Sequence, residues 1–392
     1  MSKKGIPEKA TLLLIGPTPP PYHGVGMAMQ AILDSSIATQ FRLVHLDITD
    51  RRGIGHVDQP DLYDVFLFVK QFFRNGMLIV RERPALFYIP ISQTRIGFIR
   101  DSLFILPALM MRSRVIVHLH GANFESLADQ GGFLWKRYLD FILRRVARFI
   151  VLGEMLRPIF GRWAAPDRIS VVPNGVIQEK AEMSERRLSA QRPFRILFLS
   201  TLCRQKGLFV LLDAIPLIVR EEKDVGFEIA GPWASEDVRR EAERRLTENG
   251  MTDRVRFVGQ ITGEEKRRFL RSGDLFIFPG VQQEGQPLTV LEAMSEGLPV
   301  VATDRGCLRE TVAEGVTGFI VPPNSAEAIA EKVIHLIRHP GRRDQLAINA
   351  AKRVKESYTV EQFVFRLEEV FGQTLIASGR QNRGGVRLES TP

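Results

Sequence analysis

The chain has 392 residues, 44% of them hydrophobic, and carries 54 lysines and arginines against 45 aspartates and glutamates, a net charge of +9. That length exceeds what one core organises and points to two domains of roughly 190 residues each. Only Cys203 and Cys307 are present, without metal-ligand spacing, which argues against a disulfide framework or a structural zinc site. No uninterrupted apolar run reaches the ~20 residues that span a bilayer, and the polar, basic first residues do not read as a secretory leader. The expected location is cytoplasmic, either free or peripheral on the inner face of the membrane. Charge is unevenly spread: residues 1–190 hold 25 basic and 17 acidic side chains, residues 191–392 hold 29 and 28. A basic first half implies an anionic partner. No zinc finger, RNA-binding signature or aromatic–basic stacking pattern supports nucleic acid, which leaves an anionic membrane surface, or simply a well-solvated basic domain.

Short apolar, β-branched runs alternate with amphipathic segments along the chain, the pattern of parallel-sheet α/β domains. In the first half this predicts strands at Leu12–Gly16, Leu43–Asp47, Leu86–Ile91, Val115–Leu119, Phe149–Leu152 and Ile169–Val172. In the second it predicts Arg195–Ser200, Gly226–Ala230, Val255–Val258, Leu275–Pro279, Pro299–Ala302 and Phe319–Val321. The charged, weakly hydrophobic stretch 178–193 reads as a linker between a Rossmann-like domain over 1–177 and another over 194–359. A final helix spans 360–377, and the Gly, Arg, Asn and Ser composition of 378–392 reads as a disordered tail. Leu103–Met111, flanked by Arg95, Arg100, Arg112 and Arg114, reads either as an amphipathic helix on a membrane or as a buried helix with solvated ends.

Ligands of doubly wound sheets sit beyond the carboxyl ends of strands, so the loops there carry the chemistry. The first is Gly16-Pro-Thr-Pro-Pro-Pro-Tyr-His23-Gly24-Val-Gly26-Met-Ala, whose two glycines before a helix let backbone approach a phosphate. It is not a dinucleotide fingerprint with Asp47 as its ribose acid, because Met29 stands where the third Gly or Ala belongs. Val115-Ile-Val-His118-Leu-His120-Gly121 sets two histidines on one face of a strand, with His120 at its end, within reach of a ligand. Ser200-Thr201-Leu-Cys203-Arg204-Gln-Lys206-Gly207 follows the first strand of the second half and opens a helix. Most informative is Glu284-Gly285-Gln286-Pro287-Leu288-Thr-Val-Leu-Glu292, which reads as loop and helix start, with Glu292 a little over two turns into the helix. Amides at such a start suit a diphosphate, and a loop carboxylate accepts hydrogen bonds from sugar hydroxyls.

Glu284-x7-Glu292 followed by Ala293-Met-x-x-Gly297-x-Pro299-Val-Val-Ala-Thr303, with Gly306, Glu310 and Gly315-Val-Thr-Gly318-Phe, resembles the signature of retaining family 4 glycosyltransferases. The resemblance covers nearly the whole chain at lower density. It implies the GT-B fold, an α/β architecture of two Rossmann-like domains facing across a cleft, with the last helix crossing back to the N-terminal domain near Ser357-Tyr358. It implies transfer of a sugar from a UDP-, GDP- or ADP-sugar to a glycan or lipid-linked acceptor, with no other cofactor. No Asp-x-Asp motif occurs, and a metal is not required on this reading. Glu284 and His120 would hold hydroxyls of the transferred sugar, Glu292 the ribose, and Lys206 the diphosphate, helped by Gly24, Gly26, Gly285, Gln286, Pro287 and Leu288. Gly231 and Gln260 would border the base, and Val172-Pro173-Asn174-Gly175-Val176 would form a hinge. Two positions depart from the family pattern: His23 replaces the first glycine of its loop, and Thr201 replaces an arginine that Arg204 would have to supply. A nucleotide-sugar epimerase of the same fold lacks this combination. A catalytically weak nucleotide-sugar-binding partner in a polysaccharide assembly complex remains the alternative, on Thr201 and His23.

Overall fold

A computed structural model describes residues 9–20, 22, 24–51, 62–129, 131–178 and 192–381, with backbone alone at 377–381. His23, linker residues 179–191 and tail residues 382–392 lie outside the described residues. All twelve predicted strands are present, each within one residue of its expected bounds. They are β1 Thr11–Gly16, β2 Arg42–Asp47, β3 Leu86–Pro90, β4 Arg114–His118, β5 Arg148–Val151 and β6 Ile169–Val171. The second set is β7 Phe194–Leu199, β8 Val225–Ala230, β9 Val255–Gly259, β10 Leu275–Phe278, β11 Val300–Thr303 and β12 Gly318–Val321. They form two parallel six-stranded sheets in the orders β2-β1-β3-β4-β5-β6 and β12-β11-β10-β7-β8-β9. Both are α/β sheets of the Rossmann kind. The described residues divide into unit 1, within 1–152, 156–172 and 361–392, and unit 2, within 153–155 and 173–360.

Central strands of both sheets are covered on two faces, which is why they read as unbroken apolar runs rather than alternating ones. Along β7, Ile196 and Phe198 enter one core of unit 2, and Leu197 and Leu199 enter the other. Along β10 the same division separates Leu275 and Ile277 from Phe276 and Phe278. Leu12 to Ile15 of β1 are all fully buried in unit 1. Each sheet reverses its winding beside its first strand, between β1 and β3 in unit 1 and between β7 and β10 in unit 2. Such switch points open a crevice at the strand ends.

The last helix, Val360–Gln381, continues four residues past the point where a tail was expected. Its Phe371 ring packs edge-on against Phe41 at 6.0 Å and Tyr88 at 5.8 Å. Arg114 of β4 donates to the carbonyls of Thr374 and, at 2.7 Å, Leu375.

The helix containing Leu103 runs from Arg95 to Met110 and is not a surface helix laid on a membrane. Phe98, Phe104, Ile105 and Ala108 are fully buried, Phe104 lies 5.7 Å from Phe68, and Asn75 donates to the Phe104 carbonyl. A neighbouring helix, Leu62–Glu82, covers the apolar face that the sequence left open.

Phe149 and Phe160 stack at 4.4 Å with no exposure, so they are a sensitive point of unit 1. Phe149→Ala is expected to cost about 3–5 kcal/mol through lost burial and the cavity left behind, read as a shift in the urea unfolding midpoint.

Candidate active site

In unit 2 the predicted site residues collect on the loops after β7 and β10, the two strands that flank the switch point. The loops are fastened through their backbones: Val281 and Gln282 both donate to the Gln205 carbonyl, at 2.9 and 3.3 Å. Gly207 makes this approach feasible. Its φ is +82°, and a Cβ there would stand 1.8 Å from the Pro279 carbonyl oxygen. The chain then enters helix Leu208–Glu221, which aims Lys206 at the opposite loop. Lys206 Nζ donates to both carboxylate oxygens of Glu284 at 2.8 Å.

Glu284 is 7% exposed and is fixed from behind. Cys307 donates to the carbonyls of Glu284 at 3.4 Å and Gly285 at 3.2 Å, and Gly306 donates to Gln283 Oε1 at 2.8 Å. Gly306 has φ +53°, and a Cβ there would lie 1.6 Å from the Glu284 carbonyl oxygen. A buried carboxylate with one cation in bidentate contact is held in position, while the half-buried ammonium keeps one face toward solvent.

Pro287 caps helix Leu288–Ser295, so Gly285–Pro287 are loop and Glu292 stands a little over one turn into the helix rather than two. The first amides of this helix, Leu288 and Thr289, have no intrahelical acceptor. Gln286 turns inward: its Oε1 accepts from the Asn174 amide at 2.7 Å, and its Nε2 donates to Thr311 Oγ1 at 3.0 Å. It braces the segment predicted as a hinge rather than offering its amide group to a ligand. Glu292 Oε1 accepts from Lys266 Nζ at 2.5 Å, whereas its Oε2 is buried with no partner among the described residues. Burial raises the Glu292 pKa and Lys266 opposes the rise. Lys266 was not foreseen, because an ion pair across 26 residues leaves no local trace in sequence.

Other predicted positions are placed differently. The Arg204 guanidinium lies 4.4 Å over the Phe209 ring, which Arg245 also covers at 4.7 Å, and no contact among the described residues joins Arg204 to Lys206 or Glu284. Thr201 is half-buried and adds no charge. Gly231, at φ +136°, would clash with the Ser200 carbonyl at 1.7 Å if it bore a Cβ, so backbone packing alone requires glycine there. Gln260 is exposed at the end of the β9 loop.

In unit 1, Gly24 and Gly26 open helix Gly24–Leu33, and the methyl of Met29 lies where a Gly16 Cβ would be. The Asp47 carboxylate accepts from Thr18, Thr49 and Arg51, which commits it to tying the loop after β2 to the loop after β1. His120 is half-buried beyond β4, its ring 3.9 Å from that of His118. His118 is fully buried and shares a 2.7 Å hydrogen bond with the Tyr88 hydroxyl. Burial, and then the charge of His120, push the His118 pKa well below the usual imidazole range. His118 therefore supports His120 as a neutral packing partner.

Residues 193–339 match the family described as Glycosyl transferases group 1. Among curated relatives, the phosphatidyl-myo-inositol mannosyltransferase of Mycobacterium leprae is 31% identical over 38% of this chain and 39% of its own length. The amylovoran biosynthesis glycosyltransferase AmsK of Erwinia amylovora is 26% identical over 65% of this chain and 62% of its own. The chain thus spans about two to three fifths of the length of these relatives. Among solved structures, HepE of Anabaena in complex with UDP-glucose superposes with a TM-score of 0.72 at 18% identity, over 92% of this chain and 99% of HepE. The sucrose-phosphate synthase of Thermosynechococcus elongatus gives 0.72 at 17% identity over 94% and 100%. With two parallel Rossmann-like sheets and these structural likenesses, the chain has the GT-B fold, and the unit that carries the Glu284–Glu292 loop holds the stretch similar to glycosyl transferases group 1.

Two outcomes are expected. Gly207→Ala, which forces a side chain into the left-handed region against backbone, should lower unfolding stability by about 2 kcal/mol or more. His118, neutral when folded, binds a proton in the unfolded chain below its ordinary pKa of about 6.5, so its contribution is complete above that pH and declines as pH falls below it. Urea midpoints of wild type and His118→Gln should therefore converge between pH 7.5 and 5.5, by at most about 1.4 kcal/mol per pH unit.

Proposed function

We propose that this protein is a retaining glycosyltransferase that moves a sugar from a nucleotide-diphosphate sugar to a glycan or lipid-linked acceptor in cell-surface polysaccharide synthesis, on the cytoplasmic side of a membrane. The observation that carries this reading is the Lys206–Glu284 pair at the switch point of the second sheet, one cation and one carboxylate at 2.8 Å on loops locked by Gly207 and Gly306. A diphosphate competes with Glu284 for Lys206, and the amides of Leu288 and Thr289 add the positive end of a helix. Glu284, released from the ammonium, then accepts hydrogen bonds from hydroxyls of the transferred sugar. Glu292 Oε2 has a free acceptor for the ribose. In unit 1 the reading assigns His120 a sugar hydroxyl.

Reaction breaks the bond between the anomeric carbon and the diphosphate oxygen. Negative charge grows on the leaving group, where a fixed ammonium contributes most. The acceptor oxygen bonds to the same face of the anomeric carbon, and its proton passes to a phosphate oxygen of the donor, so no protein general base is needed. Glu284 and Glu292 are thereby positioning groups and not a glycosidase acid–base pair. The mannosyltransferase and AmsK names support a lipid or polysaccharide acceptor, and the UDP-glucose complex of HepE supports a UDP-sugar donor. A second reading, a nucleotide-sugar-binding partner with little activity, is favoured by the stacking of Arg204 on Phe209, which leaves Thr201 without a replacement cation.

Calorimetry and donor hydrolysis with UDP-, GDP- and ADP-sugars test both. Wild type is expected to bind one donor class and hydrolyse it slowly. Lys206→Met should weaken binding of the free nucleoside diphosphate about 10- to 100-fold, as loss of a charge-assisted contact does. Glu284→Gln should keep that binding and lose hydrolysis. Tight binding without turnover, even with membrane extract as acceptor, would establish the second reading; no binding to any donor would refute both.

A further inference from the structure

Among the described residues of unit 1, helix Leu62–Glu82 carries a long apolar face that is left exposed. Gln71, Asn75 and Ile79 turn inward from it, and Asn75 donates to the Phe104 carbonyl of the adjoining helix at 3.0 Å. On the opposite side Leu62, Phe66, Val69, Phe73, Met77 and Val80 recur at intervals of three and four residues, a single stripe along the whole helix. All six are exposed, Leu62 at 88%, Phe66 at 63% and Phe73 at 69%. Twenty-one residues make the stripe about 30 Å long. Water-soluble surfaces rarely keep so continuous an apolar strip without a partner.

Charge around the stripe identifies that partner. At 100° per residue, Lys70, Arg74 and Arg81 fall about 80–120° from Leu62, along one border of the apolar face. Lys70 and Arg74 are exposed, and Arg81 reaches back to Glu82 at 3.2 Å. The two acids of the helix, Asp64 and Glu82, fall on the inward side, where Glu82 also pairs with Arg42 at 2.5 Å. The outward face of this helix therefore offers apolar side chains and cations, and none of the helix's own carboxylates lies on it. A second copy meeting the same face antiparallel would bring cations toward cations, and in either direction it would leave them without a counter-charge from this helix. Anionic phospholipid satisfies both halves, with acyl chains for the stripe and headgroup phosphates for its border. No helix among the described residues is long and apolar enough to cross a membrane, so this one would lie along the surface.

We propose that helix Leu62–Glu82 docks unit 1 onto an anionic lipid surface, with Phe66, Phe73 and Met77 entering the acyl boundary and Lys70 and Arg74 contacting phosphates. It deepens the proposed function and rests on that reading only for what the surface supplies, a lipid-linked acceptor.

The test is flotation of the full chain with phosphatidylcholine vesicles, with and without phosphatidylglycerol, at low and high salt. Wild type should float with the anionic vesicles. Phe66→Ser with Phe73→Ser should reduce binding about tenfold or more at both salt levels. Lys70→Glu with Arg74→Glu should lose the preference for phosphatidylglycerol and the salt dependence. All these positions are exposed, so unchanged melting and unchanged nucleotide binding should accompany the loss. Vesicle binding equal in wild type and both variants would overturn the proposal. So would a wild type that ignores vesicles and sediments as a dimer that Phe66→Ser with Phe73→Ser dissolves. Vesicle binding by a chain that binds no donor would leave this proposal standing and remove the transferase reading instead.

Discussion

Two backbone segments of unit 2 come closer together than any side chain would permit, and the candidate site follows from that approach. Gly207 lets the loop after β7 lie against the Pro279 carbonyl, and Gly306 lets a third loop lie against the Glu284 carbonyl. Between these contacts the path of the Glu284 loop is fixed without help from the side chains that would meet a ligand. Lys206 and Glu284 are therefore presented to one another rather than finding one another. Little conformational freedom remains to be lost when the pair is exchanged for ligand contacts, which is the physical meaning of a preorganised site.

The pair also resolves an electrostatic difficulty. A buried carboxylate alone is costly, and so is a half-buried ammonium without a counter-charge. Each neutralises the other. Glu292 shows the same economy with Lys266, one oxygen paired and the other left open. His118 illustrates the opposite solution, since it is kept neutral and spends one ring nitrogen on Tyr88.

Much of this was legible in sequence, for identifiable reasons. Strands covered on both faces must be apolar throughout, so Leu12–Ile15 and Leu275–Phe278 announce themselves. Glycines forced by backbone contact, such as Gly207, lie beside the residues they position. What could not be read was which apolar surface stays open. Leu103–Met111 and Leu62–Glu82 are both rich in apolar residues, and only the packing of Phe68 on Phe104 decides that one helix covers the other. Side-chain destinations were hidden for the same reason. Gln286 and Arg204 sit within the expected motifs, yet Asn174 and Phe209 claim them through contacts that local pattern does not encode.

The placement of the last helix has a consequence for the order in which the molecule is completed. Phe371 closes over Tyr88 and Phe41, and the carbonyls of Thr374 and Leu375 receive the Arg114 guanidinium. Unit 1 therefore takes its first six strands from before unit 2 in the chain and this helix from after it, and cannot finish until the helix has left the ribosome. Unit 2 draws nearly all its residues from one unbroken stretch, 173–360. During synthesis the domain that starts second has all its parts first, and the domain that starts first waits with part of its core uncovered. An incomplete unit 1 of this kind is the segment of a nascent chain that chaperones would have most reason to shield.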